Sequence, residues 1–344
     1  MSKVDKIYEW LSGDESPEAS AILAAALAHA EPPYLARIAG ILLGRRHDVA
    51  WAALVVEHDR LPVVMQRALD RQPELLRAGT GSALRSRTPR GRQSALALLA
   101  SSPDPRLAYD VAEALRDPDL QIRTQASAVL RNMANRVLDP PHGVGDPVDA
   151  AAAPAERAAL LVGLREALRT FPVHQRVDAL ETCLWFAKEL GDVLWESLTG
   201  PRSRTGPVVA LHLASWNHPR LAGFLLLALA QPPWRQPARA LLNKWSTHAD
   251  LLALLAHTDL LANPLIRRRL RLLRRPAWLG AAGPLAADLP RDVRAKIPQW
   301  VCCLGFSPTE RIRWLRRWQQ SPLPEVQRAA TDALAALRPS ERPA

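Results

Sequence analysis

Along most of the chain, apolar side chains return at every third or fourth position, as in Tyr34, Ile38, Ile41 and Leu42, or Leu221, Leu225, Ala228 and Leu229. That spacing lays them on one face of an α-helix, and strict alternation of the kind a half-buried strand needs is not sustained. The pattern predicts an all-α protein. The 30 prolines fit this reading because many follow a residue able to cap a helix: Ser16-Pro17, Thr88-Pro89, Ser102-Pro103, Asp117-Pro118, His218-Pro219, Asn263-Pro264, Ser307-Pro308 and Ser321-Pro322. At a helix start the missing N–H costs nothing and the ring presets the backbone angle. The prolines therefore punctuate short helices.

One stretch occurs twice. DPDLQIRTQASAVL, residues 117–130, aligns with SPLPEVQRAATDAL, residues 321–334, so that Pro118 falls on Pro322, Ile122 on Val326, Ala126 on Ala330 and Leu130 on Leu334. Ile122, Ala126, Val129 and Leu130 share one helical face, where the alanine lets a neighbouring helix approach closely. A fainter copy, WRQPARALL at 234–242, places Trp234, Ala238 and Leu242 on the same pattern, with Pro237 pointing to a later helix start. The segment ahead of the first copy, residues 103–117, is itself amphipathic, with Leu107, Val111, Ala114 and Leu115 inward.

Helix, Asp-Pro turn, then helix with a V-R-x-x-A-x-x-x-L core is the pattern of a HEAT repeat. Residues 104–133 resemble one at Asp117, Pro118, Asp119, Ile122, Arg123, Ala126 and Leu130. Residues 308–337 resemble it less closely, since the turn is SPLP and Gln327 stands in place of the arginine. The resemblance implies a right-handed α-α superhelix, or α-solenoid, in which stacked helix pairs bury a face that no single pair could bury alone. It also gives Asp117, Asp119 and Arg123 a structural role, the arginine pairing with turn aspartates along the stack. Two segments interrupt the array. Residues 138–156, rich in Pro, Gly and Ala, read as a loop or insert between N-terminal repeats (1–137) and C-terminal basic repeats (157–344), and residues 198–208 read as a shorter basic loop.

Charge adds a polarity that periodicity does not show. Residues 1–79 carry 9 basic and 11 acidic side chains and residues 80–200 carry 14 and 15, whereas residues 201–344 carry 22 and 8. The whole net charge of +11 therefore originates in the last part, as an acidic partner would select. Within it, LIRRRLRLLRRPAW (265–278) reads as a helix with Ile266, Leu270 and Leu273 on one face, flanked by Arg267, Arg268, Arg271, Arg274 and Arg275. A second helix, TERIRWLRRWQQ (309–320), keeps Ile312 and Leu315 inward and offers Arg313, Arg316 and Arg317, with Trp314 and Trp318 one turn apart. These eight arginines are the candidate macromolecule-binding residues. Arginine beside tryptophan suits phosphate pairing and base stacking. The competing reading places the tryptophans in the core and leaves the arginines as solvated cover over apolar surface.

Catalytic signatures are sparse. His47-Asp48 and His58-Asp59 are isolated dyads, His248-Ala249-Asp250 and Glu57-His58-Asp59 are adjacent only in sequence, and no Gly-rich phosphate loop, HExxH, GxSxG or paired CxxC occurs. Cys183, Cys302 and Cys303 lack metal-ligand spacing and read as small buried hydrophobes. No catalytic, metal or cofactor residue is predicted. The longest apolar run, LAGFLLLALA at 221–230, is shorter than the roughly 18–20 residues of a membrane helix. With no secretory pattern in MSKVDKIYEW, this predicts a cytoplasmic protein. Three functions remain open: a noncatalytic scaffold for a protein partner, one able to be acidic; a nucleic-acid-binding solenoid; and a DNA-repair glycosylase similar to the HEAT-like alkylpurine enzymes. The last would need a groove carboxylate near aromatic side chains, with Asp288 and Asp292 the acids to inspect.

Overall fold

The computed structural model describes residues 3–139, 147–216, 218–245, 247–273 and 291–337, and among them there is helix and no strand. The chain divides into two compact units, Met1–Thr182 and Cys183–Ala344. The first unit holds α1 (Lys3–Gly13), α2 (Pro17–Leu27), α3 (Pro32–Leu43), α4 (Asp48–Val56), α5 (Val63–Asp70), α6 (Pro73–Leu84), α7 (Pro89–Ser101), α8 (Ala108–Ala114), α9 (Leu120–Leu138) and α10 (Pro147–His174). After α11 (Val177–Trp185), the second holds α12 (Ala187–Thr199), α13 (Thr205–His212), α14 (Ala222–Ala228), α15 (Arg235–Lys244), α16 (His248–Ala256), α17 (Pro264–Leu270), α18 (Arg291–Arg294), α19 (Ile297–Cys303), α20 (Pro308–Gln319) and α21 (Pro324–Ala335).

Most of these helices are shorter than the ~12–15 residues at which an isolated helix becomes even marginally stable in water, so packing must hold them. Within each unit helices pack on others close to them in the chain: α2 on α3 and α4, α4 on α6 and α7, α8 on α9 and α10, α14 on α15 and α16, α19 on α20 and α21. The apolar stripes read from the sequence face these contacts. Ile38 and Leu42, Ile122, Ala126, Val129 and Leu130, and Leu221, Leu225, Ala228 and Leu229 are all buried.

The repeated stretch folds in the same register twice. Helix α9 starts at Leu120 and α21 at Pro324, the same offset that aligns the two sequences, and Ile122, Val326, Ala126 and Ala330 are all buried. Pro118 and Pro322 lie in the preceding turns, and Asp119 caps α9 by accepting from the N–H of Gln121 at 2.7 Å. Pro17, Pro89, Pro264 and Pro308 do open helices, behind Ser16, Thr88, Asn263 and Ser307 side chains that each accept a backbone N–H. The faint copy begins its helix at Arg235, three residues later than strict alignment, with Pro237 in the first turn and Trp234, Ala238 and Leu242 buried as the pattern requires. A further echo emerges at Asp104-Pro105-Arg106-Leu107-Ala108 and His218-Pro219-Arg220-Leu221-Ala222. Each forms one 3₁₀ turn followed by a seven-residue helix, and each opening side chain accepts the N–H of its own arginine, Arg106 or Arg220.

Arginine–carboxylate links tie the first unit together across helix pairs. Arg77 reaches Asp104 at 2.6 Å, Arg85 reaches Asp110 at 2.7 Å, Arg92 reaches Asp117 at 2.5 Å, and the buried Glu57 accepts from both Arg60 (2.6 Å) and Arg90 (2.9 Å). Arg123 does not take a turn aspartate. It donates to the carbonyls of Asp117 (2.7 Å) and Pro118 (3.0 Å), because Arg92 already holds the Asp117 carboxylate.

The loop expected at 138–156 meets a helix from Pro147 onward. Proline suits a first helical position and the following alanine run has the highest helix propensity, which outweighs the interior Pro154. At the far end of α10, Gln175 has φ 51°, the left-handed conformation that usually closes a helix with glycine or asparagine. Gln175→Gly should therefore raise the unfolding free energy by about 0.5–1 kcal/mol in a urea melt. Next to it, the buried His174 accepts the Arg176 N–H at Nδ1 (2.9 Å) and donates from Nε2 to the Ala167 carbonyl (2.9 Å). Burial holds this imidazole, and that of His257, below the ordinary value. The unfolded chain then binds protons first, so their contribution is complete above about pH 6.5 and falls as pH drops below it. The melting temperature should decline between pH 6.5 and 5, with a shallower slope in His174→Gln; an unchanged slope would assign the decline to other groups.

Candidate anion-binding surface

The arginines singled out in the sequence sit on α17 and α20. Asn263 accepts the Leu265 N–H and starts α17, while Ile266 and Leu270 are fully buried, which turns Arg267 and Arg268 outward. The helix ends at Leu270, earlier than the expected 265–278. Arg271 is its exposed C-cap, and Leu273 folds back to accept the Gly305 N–H at 3.0 Å. Arg274 and Arg275 lie outside the described residues. Helix α20 opens on a capping box in which Ser307 and Glu310 satisfy each other's backbone N–H. It buries Arg311, Ile312, Leu315 and Trp318 and exposes Arg313, Arg316 and Arg317.

Between α17, α19, α20 and α21 lies a cavity of about 470 Å³. Arg267 and Arg271 line it from α17 and Arg311 from α20, while Gln299, Cys302 and Cys303 come from α19 and Ala333, Ala336 and Leu337 from α21 and the residues after it. Arg311 is only 7% exposed, and its Nη2 lies 3.4 Å from the Phe306 carbonyl. Burial pushes the Cys303 thiol up, and the opposing positive charge of Arg267, Arg271 and Arg311 does not reverse the shift. Cys183, fully buried, is raised further by the same cause.

Glycine at 305 is what lets these walls meet. A Cβ there would fall inside the van der Waals radius of the Arg271 carbonyl oxygen and crowd that of Leu273. No rotamer relieves a clash with backbone.

Two surfaces follow from the run Arg267-Arg268-Arg269. Arg267 faces the cavity just described, while Arg269 faces a smaller one of about 240 Å³ lined by Arg235, Arg239, Gln236, Leu229 and Leu272. Desolvation, then Arg235 and Arg268, hold the Arg269 pKa below its ordinary value. Arg235, Arg239, Arg269, Gln299 and Arg311 were not among the expected residues. Arg311 was findable, since it lies three, four and seven positions from residues of the α20 apolar stripe, where a charge has no reason to be unless it is used. The others depend on which helices become neighbours.

The tryptophans belong to the core. Trp318 is 5% exposed, and the half-buried Trp314 packs against Phe306, Trp318 and the Arg317 guanidinium, 5.7 Å from its ring centre. Elsewhere the dyads find ordinary partners: His47 Nε2 lies 2.9 Å from the Glu15 carbonyl, His58 lies 3.6 Å from Asp59 and from Asp70, and Asp250 completes the Thr247 capping box. No group of three or more His, Cys, Asp or Glu among the described residues could hold a metal ion. Asp288 lies outside those residues, as does the Asp292 side chain.

Charge pairing separates the two units. In the first, eleven arginines form ion pairs, from Arg60 through Arg92 and Arg131 to Arg176. In the second, Arg267, Arg268, Arg271, Arg313, Arg316 and Arg317 are exposed and make no ion pair among the described residues. No family model, curated protein or solved structure matches the chain.

Gly305→Ala should cost about 1–3 kcal/mol of stability, the usual penalty of overpacking. It should also speed alkylation of Cys303 in the native protein, because the loop that covers the thiol must move; a native-like melt with unchanged labelling would show that the contact with Arg271 is slack.

Proposed function

We propose that the chain is a noncatalytic HEAT-like α-solenoid that docks an acidic segment of a protein partner on the arginine-bearing surface of its second unit. The observation that carries this is the set of exposed arginines on α17 and α20 that meet no carboxylate among the described residues, in a chain whose first unit pairs eleven of its arginines with acids. Solvation alone does not require like charges to be gathered and acids withheld. The solenoid reading is supported by the shared burial pattern of α9, α15 and α21 and by packing of many helices on the next helix or the next but one.

A protein is favoured over a nucleic acid by two features. Leu265 and Leu272 stand 54% and 46% exposed beside Arg268 and Arg271, offering apolar anchors among the charges as protein interfaces do. Base stacking, in turn, needs open aromatic faces, and Trp318 is buried while Trp314 is half-buried against Phe306 and Trp318. Duplex nucleic acid is the second reading, since Arg313, Arg316 and Arg317 could reach phosphates with no aromatic contact. A glycosylase finds no support in a groove carboxylate beside an aromatic ring among the described residues. Helices long and apolar enough to cross a membrane are also absent among them.

Fluorescence anisotropy with labelled polyglutamate and with duplex DNA, from low to high salt, tests this directly. Polyglutamate should bind and weaken by at least about tenfold when Arg313, Arg316 and Arg317 are changed to Glu. Binding of DNA alone, lost in that variant, would move the duplex reading to first place. Absence of binding to either at low salt would remove both.

A further inference from the structure

We infer that Arg267, Arg271 and Arg311 form a receptor for a single phosphoryl group, held as a phosphate monoester at the mouth of the cavity between α17, α19 and α20. The inference deepens the docking proposal and rests on it only for where the group comes from, a phosphorylated side chain of the docked segment or a free phosphate ester.

The case begins with charge. Three guanidinium groups face one cavity of about 470 Å³, and no aspartate or glutamate among the described residues lines it. Glu310, one position before Arg311, is engaged at the helix start, where its carboxylate accepts from the Ser307 N–H at 3.2 Å and from the Ser307 hydroxyl at 3.0 Å. One carboxylate entering the cavity would compensate one arginine. A phosphate monoester brings between one and a half and two negative charges and three acceptor oxygens, which match convergent planar donors far better. Arginine clusters of this kind are the recurrent solution for phosphorylated motifs.

Geometry supplies the rest. Arg267 and Arg271 are one helical turn apart on α17, so both point from the same wall, and neither is engaged by another side chain among the described residues. Arg311 lines the same cavity from α20, almost fully withdrawn from water and with its Nη2 3.4 Å from the Phe306 carbonyl, so its charge acts on the cavity through a medium of lower dielectric than the surface offers. The Gln299 amide provides a further donor, and Ala333 and Leu337 give an apolar wall for the carbon stem that bears the phosphate. The cavity exceeds the size of the phosphoryl group alone and suits a whole side chain. A thiolate nucleophile can be set aside, because burial keeps the Cys303 thiol protonated despite its three cationic neighbours.

Isothermal titration of the full chain with phenyl phosphate, inorganic phosphate and phenylacetate decides the matter. Phenyl phosphate should bind at least about tenfold more tightly than phenylacetate, and Arg267→Ala and Arg271→Ala should each weaken it roughly fivefold or more. Both residues are solvent-exposed, so the variants should melt like the parent, which circular dichroism verifies, while Arg46→Ala, at an exposed position of the first unit, should leave phenyl phosphate binding unchanged. Equal affinity for the carboxylate, no phosphate binding at millimolar concentration, or binding indifferent to Arg267 and Arg271 would each overturn the inference. A phosphoserine peptide flanked by glutamates then identifies the source. A gain over inorganic phosphate that Arg316→Ala erases indicates a docked phosphorylated segment, and equal affinity indicates a free ester. Polyglutamate binding that persists without any phosphate binding would sink the pocket and leave the docking surface standing.

Discussion

Helices this short have no independent existence in water, and everything else in the molecule follows from their need for neighbours. A seven-residue helix such as α8 or α14 closes few backbone hydrogen bonds of its own and must hide its apolar face against the helices before and after it. Each helix is therefore two-sided in its obligations, which explains the abundance of alanine at contact positions and the fixed register of Ile122 and Val326. Stacking of this kind leaves the outward faces unconstrained, and that freedom is where the two units diverge. The first pairs eleven of its arginines with carboxylates, as between Arg92 and Asp117. The second exposes Arg267, Arg268, Arg271, Arg313, Arg316 and Arg317.

Much of the helical order could be read from residue spacing, because periodicity reports directly which face is buried. Ile266, Leu270 and Leu273, or Ile312 and Leu315, are inward as expected. Helix ends were harder. Helix α17 stops at Leu270, and three residues on the Leu273 carbonyl accepts the N–H of Gly305, thirty-odd residues away in sequence. No local signal announces that. The alanine run after Pro147 likewise competes between loop-like composition and helix propensity, and propensity prevails.

The arginine surface was legible as charge but not as shape. A run of consecutive arginines names the chemistry, yet helical rotation sends Arg267 and Arg269 to different cavities, and their companions Arg311 and Arg235 come from elements distant in sequence. Tertiary neighbours, which sequence spacing does not encode, decide which cations act together. Trp314 and Trp318 illustrate the converse: their spacing beside arginine suited stacking on bases, and packing against Phe306 claimed them instead.

The missing side chain at position 305 has a mechanical meaning. Backbone pressed against backbone makes a stiff joint with no rotamer to absorb displacement, so the end of α17 and the start of α20 are hinged at one point. Arg271 sits on one side of that joint and Arg311 on the other. The loop between α19 and α20 thereby ties two walls of the cavity to each other through backbone alone.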